Sequence, residues 1–448
     1  MRGFCIRRRI ALGTTACLAI AMALPLAANP QQLFQQAKAA ELAGKAVAAR
    51  QLWQDFLEAE AQGARADRVR HRLVVLEARE LGKTCRHYPV WSPSGGMLMY
   101  GYGGLAIVDI ATGDGVSMES PTGPMYNHDW GPDGVTISCR QTLENGRAGV
   151  FLYERQPDEA LFPGGDGLLI CEGIGGKFDW TGEQLLISAA AKQFGARRVS
   201  LGIVRYEFAT QKLLPVGWKN AQRPARNQAS WAGRDAYVCH AYGPAAMSDR
   251  AVFVAKTNGT GAKQLTDDGA DNRTPVVAPD GRRLAYSRFK KGEQETVRVA
   301  LSDGSLKPIV LGPGRQPCWS PDGAWLAYDS PQGIKLLRLG GVSPCLFVVT
   351  GQRQGTAASL TITSDAKVPQ TLRVSCQVYD ERSVRLADWS WEDEPVTVPP
   401  EESVSTDYPV PQELLEKAEI LRFRIEPASG SAAVILVPLR AAAAAEGQ

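Results

Sequence analysis

The side chains of this sequence that could take part in acid–base or metal chemistry are few and widely spaced. Only four histidines occur in 448 residues, and three of them, His87, His128 and His240, lie beside predicted strands. A metal-dependent lyase site would need several histidine and carboxylate ligands converging on one point. His240 follows the second strand of its repeat whereas the other two precede a first strand, so the three should not converge. We expect polar loop histidines and no metal.

Two groups of carboxylates suggest chemistry at first sight. Asp129 and Asp179 each precede a tryptophan in consecutive repeats and could form a paired acid–base site. Because side chains alternate along a strand, we expect both carboxylates to bond nearby backbone or to line a channel instead. The second group, which resembles a calcium loop, consists of Asp267, Asp268, Asp271 and Asn272. It lacks the D-x-D-x-D-G spacing and the distal glutamate, so calcium binding is not predicted.

Motifs for nucleophilic or redox catalysis are missing from the sequence. The G-x-S-x-G pentapeptide of serine hydrolases does not occur. Nine cysteines are present, two of them within the first 28 residues, and none belongs to a C-x-x-C motif. We therefore assign no catalytic residue and no cofactor.

A ring of varied residues is the best candidate for a binding site. Its members stand four and three positions before the residue that anchors each repeat, where all inner strands should open on one mouth of a channel. The pairs are His87 with Tyr88, Tyr126 with Asn127, Gly176 with Lys177, Asn227 with Gln228, Arg273 with Thr274, and Arg315 with Gln316. The ring is cationic and amide-rich and contains no acid, which favours a carboxylate, an acidic peptide or an anionic glycan. The alternative is a solvated rim of loops.

A second candidate is the acidic and aromatic segment D-W-S-W-E-D-E from Asp388 to Glu394. It is either an exposed contact patch or the end of a strand with Trp389 and Trp391 in the core. The core interpretation is favoured.

The elements that must position these residues are encoded by a repeat, which is clearest in P-C-W-S-P-D-G-A-W-L-A-Y from Pro317 to Tyr328. Ser-Pro-Asp-Gly is typical of a type I turn, so each copy predicts strand, turn and strand. The same frame fits ungapped at five earlier places, and the anchor positions are 91, 130, 180, 231, 277 and 319. Periods of 40 to 50 residues with several strands per repeat are typical of propeller blades.

One copy with its flanks, L-T-D-D-G-A-D-N-R-T-P-V-V-A-P-D-G-R-R-L-A-Y-S-R from Leu265 to Arg288, resembles the repeat of TolB-type propellers. The resemblance covers residues 84–349 and implies an exported propeller that binds partners at the cell envelope. TolB carries an α/β domain in front of its propeller, whereas helices are predicted here. The chain is therefore not expected to be a TolB orthologue.

The flanking segments predict further units. Residues 30–83 are rich in Ala, Leu, Gln and Glu and resemble one tetratricopeptide helix pair, followed by a third helix from Ala66 to Leu81. Residues 350–440 contain five to seven short strands and resemble an immunoglobulin-like or fibronectin-like β-sandwich. Residues 441–448 are a low-complexity, disordered tail. To close the propeller, the last blade needs an outer strand. Ser343 to Val349 is the local candidate, and a strand from just before Pro89 is the alternative.

The first 28 residues have the layout of a secretory signal peptide, with basic Arg7 to Arg9 before an apolar run. They hold four arginines and no acid, so the rest carries 46 basic against 47 acidic residues. This balance does not indicate nucleic-acid binding. We expect a periplasmic or secreted protein with no stable membrane span after cleavage.

Taken together, these patterns predict a mainly β protein: a six-bladed β-propeller with a short α-helical segment before it and a β-sandwich after it. The predicted function is a non-enzymatic binding scaffold at the cell envelope, which contacts an envelope protein or an anionic glycan or peptide through the channel mouth. The alternative is a carbohydrate-active or hydrolytic propeller enzyme with its site in the channel.

Overall fold

A computed structural model describes residues 29–81, 88–101, 104–118, 124–155, 167–190, 201–216, 226–242, 249–342, 347–354, 357–364, 366–390, 395–400, 402–427 and 432–439. The predicted signal peptide, His87, Trp391 and the predicted C-terminal tail lie outside these residues. The described part is mostly β and contains four helices. None of these helices has the length and apolar character needed to cross a membrane.

Three helices come first: α1 (Pro30–Leu42), α2 (Ala46–Ala59) and α3 (Ala64–Arg70). Helix α1 begins where the Asn29 side chain accepts a hydrogen bond from the Gln31 N–H at 2.9 Å, with proline in the first turn. Its apolar face packs on α2 around Trp53 and Phe56, both of which are buried.

The centre of the chain forms antiparallel sheets from consecutive strands. In chain order the strands are β1 (Val74–Leu81), β2 (Val90–Trp91), β3 (Met97–Tyr100), β4 (Leu105–Asp109), β5 (Gly115–Met118), β6 (Tyr126–Trp130), β7 (Thr136–Thr142), β8 (Ala148–Glu154), β9 (Leu168–Phe178), β10 (Gln184–Ala190), β11 (Leu201–Glu207), β12 (Lys212–Pro215), β13 (Arg226–Trp231), β14 (Ala236–Tyr242), β15 (Arg250–Lys256), β16 (Lys263–Gln264), β17 (Asp271–Val277), β18 (Arg283–Phe289), β19 (Thr296–Leu301), β20 (Ile309–Pro313), β21 (Arg315–Trp319), β22 (Trp325–Ser330) and β23 (Gly333–Gly340).

These strands build four four-stranded sheets and one seven-stranded sheet. The four-stranded orders are β2-β3-β4-β5, β13-β14-β15-β16, β17-β18-β19-β20 and β1-β23-β22-β21. The seven-stranded sheet joins two repeats because β9 serves both. Its first half, from Leu168, pairs with β8 as an outer strand, and its second half, to Phe178, pairs with β10 as an inner strand.

The sheets are arranged in a closed ring around a channel. The inner strands β2, β6, β9, β13, β17 and β21 each contact the next one, and β21 contacts β2. Anchor tryptophans join neighbouring sheets, since the Trp91 Nε1–H donates to the Cys318 carbonyl at 3.2 Å and the Trp231 Nε1–H donates to the Lys177 carbonyl at 2.9 Å. Such a ring of radial antiparallel sheets is a β-propeller arrangement.

The last sheet is closed by a strand from the N-terminal side of the ring. Strand β1 pairs antiparallel with β23, from Val74 opposite Gly340 to Leu81 opposite Ile334. The prediction of a third helix from Ala66 to Leu81 is therefore wrong beyond Arg70. The E-A-R-E-L sequence favours a helix, but the open edge of β23 and the β-branched Val74 and Val75 favour pairing. The predicted local closure by Ser343 to Val349 is therefore wrong, since residues 347–349 pair with β25. The alternative is right in taking the strand from the N-terminal side, although β1 ends at Leu81 and not just before Pro89.

The C-terminal unit consists of β24 (Phe347–Gln354), β25 (Ala357–Ser364), β26 (Gln370–Asp380), β27 (Arg385–Ser390), β28 (Val396–Val398), β29 (Ser403–Pro409), α4 (Gln412–Leu415), β30 (Ala418–Pro427) and β31 (Ala433–Pro438). One sheet has the order β24-β25-β29, and the other β27-β26-β30-β31 with β28 also pairing with β26. Both contribute to one core, which includes Leu360, Tyr408, Val374 and Phe423. Trp389 is partly buried and packs against this core.

Leu73 tests the placement of this closing segment. The side chain is fully buried in the core between the last two sheets of the ring, beside Trp319 and Tyr328. We expect Leu73→Ala to lower the free energy of unfolding by about 2–5 kcal/mol, because it leaves a cavity. Val47→Ala on helix α2, where the valine is 59% exposed, should change it by less than about 0.5 kcal/mol. Urea denaturation of both variants measures the difference, and equal small effects would contradict the placement.

Candidate functional site

Three successive residues of each inner strand, or in the first repeat the two residues before β2 and its first residue, form three rings along the channel. The first ring is Tyr88, Asn127, Gly175, Gln228, Thr274 and Gln316. All six have positive φ, between 46° and 60° for the five that are not glycine. The second ring is Pro89, His128, Gly176, Ala229, Pro275 and Pro317. The third is Val90, Asp129, Lys177, Ser230, Val276 and Cys318.

The third repeat is displaced by two residues from its predicted frame. Leu185 pairs with Phe178, just as Leu326 pairs with Trp319 in the last repeat, so Phe178 and not Trp180 is the anchor. Lys177 therefore lies in the third ring, level with Cys318, and does not stand at the mouth. Ile174 and Gly175 take the positions predicted for Gly176 and Lys177. An ungapped comparison favoured Trp180 because it matched the tryptophan of the other copies.

Tyr88 spans the mouth of the channel. Its N–H donates to the Gln316 side chain at 3.0 Å, and its hydroxyl accepts from the Gln228 amide at 3.2 Å across the ring. Burial raises the pKa of the Tyr88 hydroxyl, so it stays protonated at neutral pH. Asn127 donates to the Ile174 carbonyl. The first ring is therefore joined by internal hydrogen bonds, and a ligand would have to displace them to enter the channel from this end.

The predicted cations are paired with acids that other positions supply. Arg315 binds Asp329 of β22 at 2.9 Å, and Arg273 binds Asp271, which also accepts two hydrogen bonds from Arg250 at 2.6 and 2.7 Å. Acids outside the predicted ring, Asp271 and Asp329, therefore neutralise these two arginines. Arg315 nevertheless keeps 41% of its side chain exposed. Tyr126 is the first residue of β6, and Asn227 is the second residue of β13.

The acidic groups noted in the sequence have structural partners. Asp129 accepts from Lys177 Nζ at 2.7 Å and from the Phe178 N–H at 2.9 Å. Asp179 accepts from the Gly182 and Gln184 N–H groups, so it stabilises its own turn and does not pair with Asp129. In the segment that resembled a calcium loop, the Asp268 carboxylate is ion-paired with Arg288 at 2.6 Å.

His128 lies in a small cavity of about 70 Å³ between the first and third rings. It is 1% exposed, and neither ring nitrogen has a hydrogen-bond partner among the described residues. Burial, reinforced by the charge of Lys177, lowers the pKa of His128 to about 3. The carbonyls of Tyr88 and Met99 offset part of this shift without reaching hydrogen-bond geometry. His240 is similarly buried, but its Nδ1 accepts from the Thr274 N–H at 3.3 Å, so the two histidines serve different sheets.

Beyond the third ring the channel opens into a larger space, which we call the chamber. Its volume is about 620 Å³, and it lies between the turns of the ring and strand β30 of the C-terminal unit. Arg422 and Arg424 of β30 enter it and lie over the Trp180 indole at 3.8 and 5.1 Å. Lys177 also lines the chamber. Burial of its ammonium group lowers the pKa of Lys177, but the charge of the nearby Asp129 carboxylate and the hydrogen bond to it act in the other direction, and the pKa is raised overall. The ammonium is therefore retained.

A second space, which we call the cleft, adjoins the chamber at Trp180. Its volume is about 840 Å³, and it runs between β10, the turn after β11 and the β26–β27 pair. Chamber and cleft share Trp180, Thr181, Glu183, Gln184 and Arg234. Asp388 and Trp389 line the outer cleft, so part of the acidic and aromatic segment faces a groove while Trp389 also packs on the core. The one signal for this route in the sequence is Trp180 itself, which stands in a turn where four of the other five copies have proline.

Comparisons with known proteins give distant similarities only. No family model matches the chain, and no curated protein matches it. Among solved structures, a putative TolB from Agrobacterium tumefaciens is 14% identical, with a TM-score of 0.43 over 57% of this chain and 90% of that one. TolB from Acinetobacter baumannii is 16% identical, with a TM-score of 0.39 over 62% and 60%. An oligogalacturonate lyase from Vibrio parahaemolyticus is 11% identical, with a TM-score of 0.38 over 58% and 93%. None of these values assigns a partner or substrate.

The buried neutral His128 predicts a dependence of stability on pH. Its pKa is about 3 in the folded chain and near the ordinary 6.5 when unfolded, so the unfolded state takes up the proton first on acidification. The stability is therefore fully present above pH 6.5 and is lost as pH falls towards 3. Between pH 6.5 and about 4.5, His128→Met should remove about 2 kcal/mol of the decrease in unfolding free energy.

Urea denaturation at the two pH values measures this slope, and the carboxylates contribute equally in both proteins. His71→Gln is the matched control, because His71 at the end of α3 is only partly buried and should alter the slope less. An unchanged slope in His128→Met would mean that His128 is protonated in the folded chain.

Proposed function

We propose that this chain is a non-enzymatic binding scaffold that holds an extended segment of an envelope protein along the cleft and chamber. The observation that carries the proposal is the continuity of these two spaces around Trp180, between the ring and the C-terminal unit. Two connected spaces suit a chain-like ligand better than a compact one. Partly buried indoles and a few charged groups, such as Arg234 and Glu183, are typical of pockets that recognise peptides.

Binding is favoured over turnover by the state of the polar groups along the channel. Lys177 holds its proton because of Asp129, so it does not serve as a general base at neutral pH. His128 is neutral and only 1% exposed, so it is not presented to a substrate in the chamber. Neither Lys177 nor His128 therefore has a pKa near neutral pH, where a general acid or base would need it. The rival proposal, a carbohydrate-active or hydrolytic enzyme, would need acid–base groups with intermediate pKa values that face the chamber.

The finer architecture belongs to the same proposal. The six inner strands would make a six-bladed propeller, closed by β1, and the C-terminal unit would be an immunoglobulin-like or fibronectin-like sandwich that roofs the chamber. Residues 1–28 would direct export to the periplasm or beyond. The mouth residues Arg273 and Arg315 would form a secondary contact surface for an acidic partner or an anionic glycan, since both side chains are partly exposed.

Photo-crosslinking from defined positions separates these surfaces. A benzophenone amino acid at Glu183 should crosslink to an envelope protein, because Glu183 is exposed and lines both chamber and cleft. The same group at Val116, which is 47% exposed on the outer strand β5, is the matched control and should give no specific product. Crosslinks from Arg315 alone would place the partner at the mouth and contradict the cleft assignment.

The enzyme alternative is tested on the same purified chain. We expect no release of reducing ends or unsaturated products from acidic polysaccharides. Turnover that is lost in Asp129→Asn or Lys177→Met would overturn the scaffold proposal.

A further inference from the structure

We propose that this chain has a separate binding site for a small oxyanion where the helices, the closing sheet of the ring and the C-terminal unit meet. These three parts enclose a space of about 450 Å³, which we call the junction. The junction shares no lining residue with the chamber or the cleft. Four arginines line it: Arg50, Arg72, Arg283 and Arg338. The proposal is independent of the proposed scaffold function.

The first element of the site is the N-terminus of α2. Gly44 and Ala46 line the junction at the start of this 14-residue helix. The residue before the helix, Lys45, makes no capping hydrogen bond with its side chain, and the first turn contains no acid. Backbone N–H groups at a helix start carry a partial positive charge and bind anions when no side chain caps them.

The second element is a buried arginine with bonding capacity left over. The side chain of Arg283 is only 4% exposed, and its guanidinium stacks on Trp319 at 4.6 Å. Its Nε–H donates to Asp280 at 2.6 Å, and Nη2 donates to the Gly323 carbonyl at 2.8 Å. Among the described residues, no acceptor satisfies Nη1. A buried donor without an acceptor is costly, and an anion in the junction would supply one.

The charges of the lining leave room for an anion. Four arginines face three carboxylates, Glu41, Asp280 and Asp322. Glu41 is occupied by Trp53 Nε1 at 2.7 Å, the Gly341 N–H at 3.0 Å and Arg72 at 3.2 Å. Asp322 bonds the Ser320 hydroxyl and the Ala324 N–H within its own turn. All three carboxylates thus bind groups close to them, and the four arginines leave the lining with one more positive than negative charge.

These features specify the ligand by its chemistry. Planar guanidinium groups and helix N–H donors both suit a compact group with several acceptor oxygens, either a phosphate or a carboxylate on a small molecule. The volume of the junction accommodates such a group together with a short carbon skeleton.

Titration calorimetry with inorganic phosphate and, separately, with succinate tests the site. The anion that binds more tightly shows whether the site prefers a phosphate or a carboxylate. Val47 lies in the first turn of α2 and is 59% exposed, so it can be replaced without disturbing the core. Val47→Glu should weaken binding at least about tenfold, because its carboxylate competes for the helix N-terminus. Val47→Gln is the matched control, because glutamine has the size of glutamate but no charge, and this variant should bind the anion like the wild type.

Arg338→Gln gives a second readout and should weaken binding by a similar factor. Arg147→Gln should not, because Arg147 precedes β8 and does not line the junction. Circular dichroism in chloride buffer verifies that each variant is folded. Loss of binding in Val47→Glu and Arg338→Gln with retention in the two controls supports the site. No binding of either anion by the wild type, or equal binding by all variants, overturns it.

Discussion

The closure of the ring is the constraint on which the rest of the structure depends. The last sheet takes three strands from residues 315–340 and its outer strand from residues 74–81, so two distant parts of the chain must meet before the ring is complete. An unpaired outer edge on β23 would expose a row of backbone donors and acceptors. Because β1 follows the helices directly, closure also fixes them against the ring, where Glu41 binds the Gly341 N–H at the end of β23.

The position of the C-terminal unit follows from a different set of contacts, which is confined to one side of the ring. The Tyr379 hydroxyl donates to the Pro132 carbonyl at 2.8 Å, the Arg385 N–H donates to the Asp133 carbonyl at 2.9 Å, and Arg422 Nη1 donates to the Pro93 carbonyl at 3.4 Å. Gly134 is required there, since a Cβ would overlap the Ser383 carbonyl oxygen. The first two turns are thus in tight contact, while the third, with Trp180, projects between the units.

Local sequence predicted the elements well and their partners poorly. Turn chemistry in Ser320 to Gly323 and its copies placed the hairpins, because a turn is specified by adjacent residues. The closing strand was missed because the helix propensity of residues 77–81 is local, whereas the free edge of β23 that overrides it is not. The acids that neutralise Arg315 and Arg273 were missed for the same reason. Asp329 reaches Arg315 from the next strand, and pairing of this kind depends on register, which the ungapped frame misjudged at Trp180.

The mouth shows why a ring that looks suited to a ligand can instead be structural. The inner strands β6, β13, β17 and β21 each have a register shift in their pairing with the next strand. The first residue within each shift adopts a left-handed conformation, which is unfavourable for residues other than glycine. The N–H groups turned inward by this shift need acceptors, which the Ser287 hydroxyl supplies to Gln316 at 2.8 Å and the His240 ring supplies to Thr274 at 3.3 Å. These backbone N–H groups at the mouth therefore already have hydrogen-bond acceptors within the chain, and their hydrogen bonds stabilise the strained backbone. This is a physical reason to place the proposed partner around Trp180 and not at the mouth.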